Sequence, residues 1–249
     1  YNKNNYDFRF SYKYDYKKII KNKFSISFIK KRPNLFLDTY ETGFSNDWEN
    51  DFYSLNMFFF KTETSFLKYN FDINFDYNKI SNFLYYNNLA TPVQFTYPID
   101  YFHLFIQKDW RVNKFNIYQK IHFQRVIYNS DINYDVMPVP FFLFNQKVSY
   151  DFNVFKKIKF STTLDITFHS KYYSNSYMPI NGVFYNQDEL KIGGKPLLQG
   201  SLFMKKKNFS IGVLIENIHS LFFDELYIIP NYIHNDLLFR LYVDWKFLD

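Results

Sequence analysis

No cysteine occurs among the 249 residues of the chain, which removes disulfide frameworks and thiolate metal sites together. No run approaches the roughly 18–20 consecutive apolar residues of a membrane helix, so helical membrane proteins are excluded. The net charge is +6, but no basic run is long enough to track a phosphate backbone, which excludes nucleic acid as a partner. No G-x-S-x-G elbow is present. The five histidines (His103, His122, His169, His219 and His234) show no HExxH and no partner at metal-ligand spacing, so each reads as a solvated side chain. Gly193-Gly194-Lys195-Pro196 lacks the upstream Gly and the following Ser or Thr of a phosphate loop. The expectation is therefore a non-enzyme without cofactor or metal. The chain opens at Tyr1 with neither Met nor an apolar signal segment, and is expected to be a mature form or a fragment.

What the chain does have is aromatic residues. With 33 Phe and 24 Tyr they reach 24%, more than a soluble core needs. An AT-rich coding bias raises Phe, Tyr, Asn, Lys and Ile together, but it cannot put them at alternate positions. Mean hydropathy is −0.36 although 47% of residues are hydrophobic. A membrane β-barrel reconciles the two figures, because each spanning strand shows lipid only every second side chain.

The last stretch carries the pattern most plainly. Leu237, Phe239, Leu241, Val243, Trp245 and Phe247 form an apolar file, while Leu238, Arg240, Tyr242, Asp244 and Lys246 form its mostly polar counterpart. A period of two means a strand with one face in an apolar medium and the other in a polar one. The same alternation runs through Tyr6–Tyr16 and Phe24–Phe28, and through Leu67–Tyr77, where Lys68, Asn70, Asp72, Asn74 and Asp76 are the polar file. It returns in Phe115–Ile127, Val148–Phe152 and Ile158–Phe168, and in Leu198–Met204 and Phe209–Ile215.

Short basic connections are expected at Lys21–Lys23, Lys61–Glu63, Arg111–Lys114, Lys156-Lys157 and Lys205–Asn208. Long loops are expected at Thr42–Asn50, Asn78–Pro98, Tyr128–Pro138, Ser170–Gly194 and His219–Asn235. This sorting by length matches outer-membrane barrels, with turns on the periplasmic side and loops outside, better than a soluble β-sandwich. The fold class is thus all-β, a single antiparallel transmembrane β-barrel domain over residues 1–249. If Arg32-Pro33-Asn34 is a turn there are about twelve strands, and if a kink about eleven, with the chain then part of a larger barrel.

Four stretches carry a resemblance: Tyr172–Tyr185, Glu189–Pro196, Ile215–Ile218 and Val243–Asp249. Together they resemble the C-terminal part of the putative porins of Bacteroidetes. The resemblance implies an outer-membrane channel of a Gram-negative cell, embedded in outer-membrane lipid and handled by the barrel-assembly machinery. It implies Trp245 and Phe247 as the aromatic assembly signal. Family members are longer than this chain, so the resemblance also implies a truncated member or a fragment lacking N-terminal strands.

In such a barrel the polar files set the field that a solute crosses. Lys68, Asp72, Asp76, Lys120, His122, Lys159, Asp165, Arg240, Asp244 and Lys246 are accordingly expected to line the pore, with both signs of charge interleaved. Tyr12, Tyr77, Trp110, Tyr150 and Trp245 are expected in interface girdles. The expected function is passive diffusion of small hydrophilic solutes. The alternatives are a barrel with a binding or assembly role, a part of a larger transporter, and a soluble β-rich binding module.

Overall fold

A computed structural model describes residues 5–41, 48–128, 135–155 and 157–247. Parts of the expected loops (42–47 and 129–134) and the turn residue Lys156 lie outside the described residues. One sheet dominates. Its eleven strands are β1 (Tyr6–Tyr16), β2 (Ile20–Lys31), β3 (Leu55–Phe66), β4 (Phe71–Ser81), β5 (Ile99–Val112) and β6 (Phe115–Tyr128), followed by β7 (Phe142–Val154), β8 (Ile158–His169), β9 (Leu197–Lys206), β10 (Phe209–Glu216) and β11 (Leu238–Trp245). Each pairs antiparallel with its sequence neighbours, a pure meander. Most strands run 10–14 residues, enough for the about 9–11 residues of a tilted membrane-spanning strand. Among the described residues no helix is long and apolar enough to cross a membrane.

The expectation of about twelve strands is corrected to eleven. After Lys31 the chain leaves the sheet: Leu35–Asp38 is one helical turn, and Thr39–Tyr40 pairs only with Trp48–Glu49. Pro33 has no N–H to donate, so the ladder stops before it. Among the described residues the sheet is not closed, since β1 pairs only with β2 and β11 only with β10. In an eleven-strand meander the first and last strands run the same way.

Two turns also fall elsewhere than expected. Lys21–Lys23 lies inside β2, and the turn is made by Lys17 and Lys18, both at positive φ (46° and 56°). Lys61–Glu63 lies inside β3, with the turn at Leu67–Asn70 instead. Lys61 and Glu63 are two apart and share a face, where they pair at 3.1 Å. A charged stretch that looked like a return is therefore a strand with its charges on the polar side. Lys68 sits in that turn rather than in the polar file of β4.

The loop end of the sheet holds the only buried apolar cluster among the described residues, around Ile80 and Ile99 of β4 and β5 and Phe95 and Val136 of the loops. Residues 83–86 and 92–95 form a small hairpin, while Tyr172–Tyr173, Ser176–Met178, Val183–Tyr185 and Lys191–Ile192 form two further ribbons.

Candidate functional site

The register decides which side chains share a face. Reading across partners, Asp76 stands opposite Lys61 on β3 and His103 on β5, and His103 opposite Gln124 on β6. Asp72 leads through Gln107 and Lys120 to Asn145 and Thr167. Lys147, Asp165 and Gln199 form another such row, and Lys159, Lys205, Ser210 and Asp244 a last one. Extending this bookkeeping over all eleven strands puts 22 of their 28 charged residues on one face. Asp72, Asp76, Lys120, His122, Lys159, Asp165, Arg240 and Asp244 all stand on it. Lys246 keeps the same parity one residue past β11, its N–H donating to the Asn208 carbonyl at 2.9 Å.

On this polar face the charges are joined into local networks. Glu63 accepts from Lys23 at 2.9 Å and Lys61 at 3.1 Å. Arg240 pairs with Glu216 at 2.9 Å, and Asn145 donates to Asp165 at 2.8 Å. His103 sits between Asp76 (Nδ1 to Oδ2, 2.9 Å) and His122 (Nε2 to Nδ1, 2.9 Å), with the two imidazoles stacked. Both ring nitrogens of His103 are thereby occupied, and among the described residues no group of three or more His, Asp or Glu could hold a metal ion. His103, Lys23, Lys61, Glu63 and Glu216 were not singled out by alternation, because only strand register brings them to their partners.

The opposite face is apolar and exposed. Phe8, Phe10, Phe24, Phe28, Leu164, Leu202, Leu241 and Val243 are all more than a third exposed on it. Its aromatics gather in two bands. Near the tight turns, Phe115 meets Tyr150 (4.6 Å), Tyr150 meets Phe152 (5.5 Å), and Phe152 meets Phe160 (5.2 Å). Toward the loops, Phe28, Phe58, Tyr77 and Phe102 form a second chain of contacts at 4.9–6.2 Å, and Phe123, Phe142 and Phe168 a third at 5.3 and 6.1 Å.

The same spacing recurs from strand to strand: Phe58/Phe66, Phe102/Trp110, Phe115/Phe123, Phe142/Tyr150 and Phe160/Phe168 are all eight residues apart. Eight residues span about 27 Å of strand, or about 19–22 Å of height at a tilt of about 35–45°, close to the about 25 Å apolar band between the girdles of outer-membrane barrels. Tyr77, Trp110, Tyr150 and Trp245 fall at these levels, whereas Tyr12 sits mid-strand on β1, paired with Phe24. Trp245 is edge-on to Phe209 (6.3 Å), and Phe247 stacks on Trp245 (4.8 Å) while 80% exposed.

A family model described as "Putative porin" matches residues 1–249. The chain belongs to that porin family. No curated protein matches it. Family membership supports a porin-like role in general terms and agrees with the all-β fold.

The loop end of this porin-family chain differs from the rest of the polar face. There Leu55, Met57, Ile80, Ile99, Val126 and Tyr128 replace the charged file, and Phe83, Tyr85, Phe95, Val136 and Met137 from the loops pack onto them. Asn186 sews three loops together, its N–H donating to Tyr86 O (2.8 Å) and its amide to the carbonyls of Asp135 (2.9 Å) and Val136 (3.1 Å). A cavity of about 770 Å³ remains beside it, lined by Tyr85, Tyr128, Tyr173 and Asp188. Its amides are spent on the loops themselves, Gln187 bonding Ser174, Glu189 and Leu190.

His219 departs from the expectation of a solvated histidine. It is only 1% exposed, accepts from the Leu198 N–H at 3.2 Å and stands edge-on to His234 at 5.0 Å. Burial lowers the pKa of both imidazoles, and His219 lowers that of His234 further.

Proposed function

We propose that the chain forms a β-barrel wall in the outer membrane and acts as a passive channel for small hydrophilic solutes. The observation that carries this reading is the partition of the sheet: 22 of 28 strand charges lie on one face and exposed Phe, Tyr and Leu on the other. A contiguous apolar sheet face on this scale is unstable in water and marks contact with lipid or protein. The six charges on the apolar face (Lys30, Lys79, Asp100, Lys108, Arg125 and Lys206) lie toward strand ends, where long side chains reach the headgroup level. Lys108, the deepest, turns back to donate to the Tyr69 carbonyl.

In this reading Asp72, Asp76, Lys120, His122, Lys159, Asp165, Arg240, Asp244 and Lys246 line a water-filled lumen, and Lys68 stands at its turn-side rim. Solutes cross by diffusion, with no catalytic or energy-coupling step. Because acids and bases are interleaved on this face, the lumen partly screens its own field and discriminates weakly by charge. Size selection falls instead at the loop end, where apolar side chains fill the polar face. Closure of the wall with antiparallel pairs throughout requires an odd number of strands beyond these eleven, whatever their source.

Reconstitution into a planar bilayer is the test. Stepwise, voltage-independent conductance is expected. A heat-modifiable protein that enters membranes yet never conducts points instead to a binding or assembly role, or to one part of a larger transporter. Extraction without detergent would leave only the soluble-module alternative.

A further inference from the structure

The five tight turns and the five loops carry opposite charge. The turns hold Lys17, Lys18, Lys68, Lys114, Lys157 and Lys207 among the described residues, and not one Asp or Glu anywhere in their sequence. The loops hold twelve carboxylates against four cations (Arg32, Lys171, Lys191 and Lys195). All six described turn lysines are exposed, and none is in an ion pair among the described residues. The acids nearest the turns, Asp15, Glu63, Asp72, Asp109, Asp151 and Asp244, stand on the polar face, away from the apolar one. Just inside the lysines lies the turn-side aromatic band. Lys17 lies 5.3 Å over the Tyr16 ring and Lys68 5.9 Å over that of Tyr69. Cations just outside amphipathic rings at the edge of an apolar belt match the layering of a bilayer interface.

We infer that this row of lysines is a docking surface for the anionic lipid headgroups of the leaflet on the turn side. The inference rests on the membrane-spanning reading above and adds a lipid preference and an orientation to it. Each basic group near an anionic surface contributes about 1 kcal/mol, or about fivefold in local lipid concentration. At the other end the twelve loop carboxylates offset the strand-end cations Lys30, Lys79 and Arg125 together with the four loop cations, so the preference for an anionic leaflet is expected at the turn end.

Trp110 and Trp245 mark the turn side and Trp48 the loop side, so a Trp48→Phe protein reports energy transfer from the turn side alone. This protein is placed in lipid nanodiscs of phosphatidylcholine doped with either dansyl-labelled phosphatidylglycerol or dansyl-labelled phosphatidylcholine. At about 0.01 M salt, transfer to the anionic label is expected to exceed transfer to the zwitterionic one, reflecting about fivefold local enrichment. At about 1 M salt, where the screening length falls to about 3 Å, the two are expected to converge.

Changing the six lysines to Gln is expected to cut the preference to what the strand-end Lys108 and Lys206 retain, and changing only Lys17, Lys18 and Lys207 to reduce it less. Changing Arg32, Lys171, Lys191 and Lys195 to Gln is expected to leave it intact. Equal transfer to both labels at low salt, or a preference that the six changes leave undiminished, overturns the inference while leaving the channel reading in place. A protein that never enters the discs overturns the membrane reading and this inference together.

Discussion

Leu164 offers the sharpest test of which face meets lipid. It lies on β8 midway between Phe160 and Phe168, four residues from each aromatic band, and is 42% exposed. Four residues are about 14 Å of strand, or about 10 Å of height after tilt, too deep for a guanidinium to snorkel fully into the headgroups. Leu164→Arg is therefore expected to cost about 2–4 kcal/mol in a bilayer. Its sequence neighbour Thr163 stands on the polar face opposite Ser149 and Ser201, and Thr163→Arg is expected to cost less than about 1 kcal/mol. In a soluble sheet the result would differ, because an exposed Leu→Arg change lies within about 0.5 kcal/mol of neutral. Guanidinium unfolding of vesicle-reconstituted protein, followed by tryptophan fluorescence, measures both. Equal costs for the two variants, or a neutral Leu164→Arg, would refute the assignment of faces.

Three further outcomes are expected. Glu63→Gln leaves Lys23 and Lys61 without their shared carboxylate, so the reversal potential in a salt gradient should shift toward anion preference, and no shift would place these groups outside the lumen. An added Cβ on Gly212 would come within 2.2 Å of the Phe203 ring, so Gly212→Ala should destabilise by about 1–3 kcal/mol, with Phe203→Leu restoring part of the loss in the same unfolding assay. Burial lowers the pKa of His219 and His234, so the opened loop takes up protons below about pH 6.5 that the closed loop refuses. Protection of residues 217–237 in hydrogen exchange is therefore complete above pH 6.5 and falls as pH drops toward the lowered pKa values, and a flat profile would argue against burial of this pair.

Alternation made the sheet legible because every long strand has one apolar and one polar medium beside it. The polar residues Asp72, Asp76, Lys120 and Asp165 could be assigned to one face within their own strands, since parity is local. Register is not local. His103 and His122 are nineteen positions apart, and nothing in either strand alone states that the β5–β6 turn brings them into contact. The turns misread for the opposite reason: Lys21–Lys23 and Lys61–Glu63 have turn-like composition, yet their parity is unbroken, and a solvated strand face tolerates such charges as readily as a turn does. Lys17 and Lys18 gave no warning, being non-glycine residues at positive φ. The loop-end cluster was hidden too, because Ile80, Ile99 and Val126 sit on polar-face positions and their burial depends on loops distant in sequence.

That cluster also bears on how the lumen would work. On the polar face charges of both signs are interleaved, and some pair within a few ångströms, as at Glu63, His103 and Glu216, which limits the dominance of either sign over the screening length of about 8 Å at physiological salt. Electrostatics therefore gives a solute little reason to stop or to be refused. At the loop end the charges give way to Ile80, Ile99, Phe95 and Val136, and Asn186 locks the overlying loops with three hydrogen bonds. Opening that end exposes apolar surface at about 25 cal/mol per Å² and breaks bonds to buried carbonyls, whereas passing a small solute beside it costs neither. On the channel reading proposed above, size and path at the loop end, rather than charge in the wall, would thus set what passes.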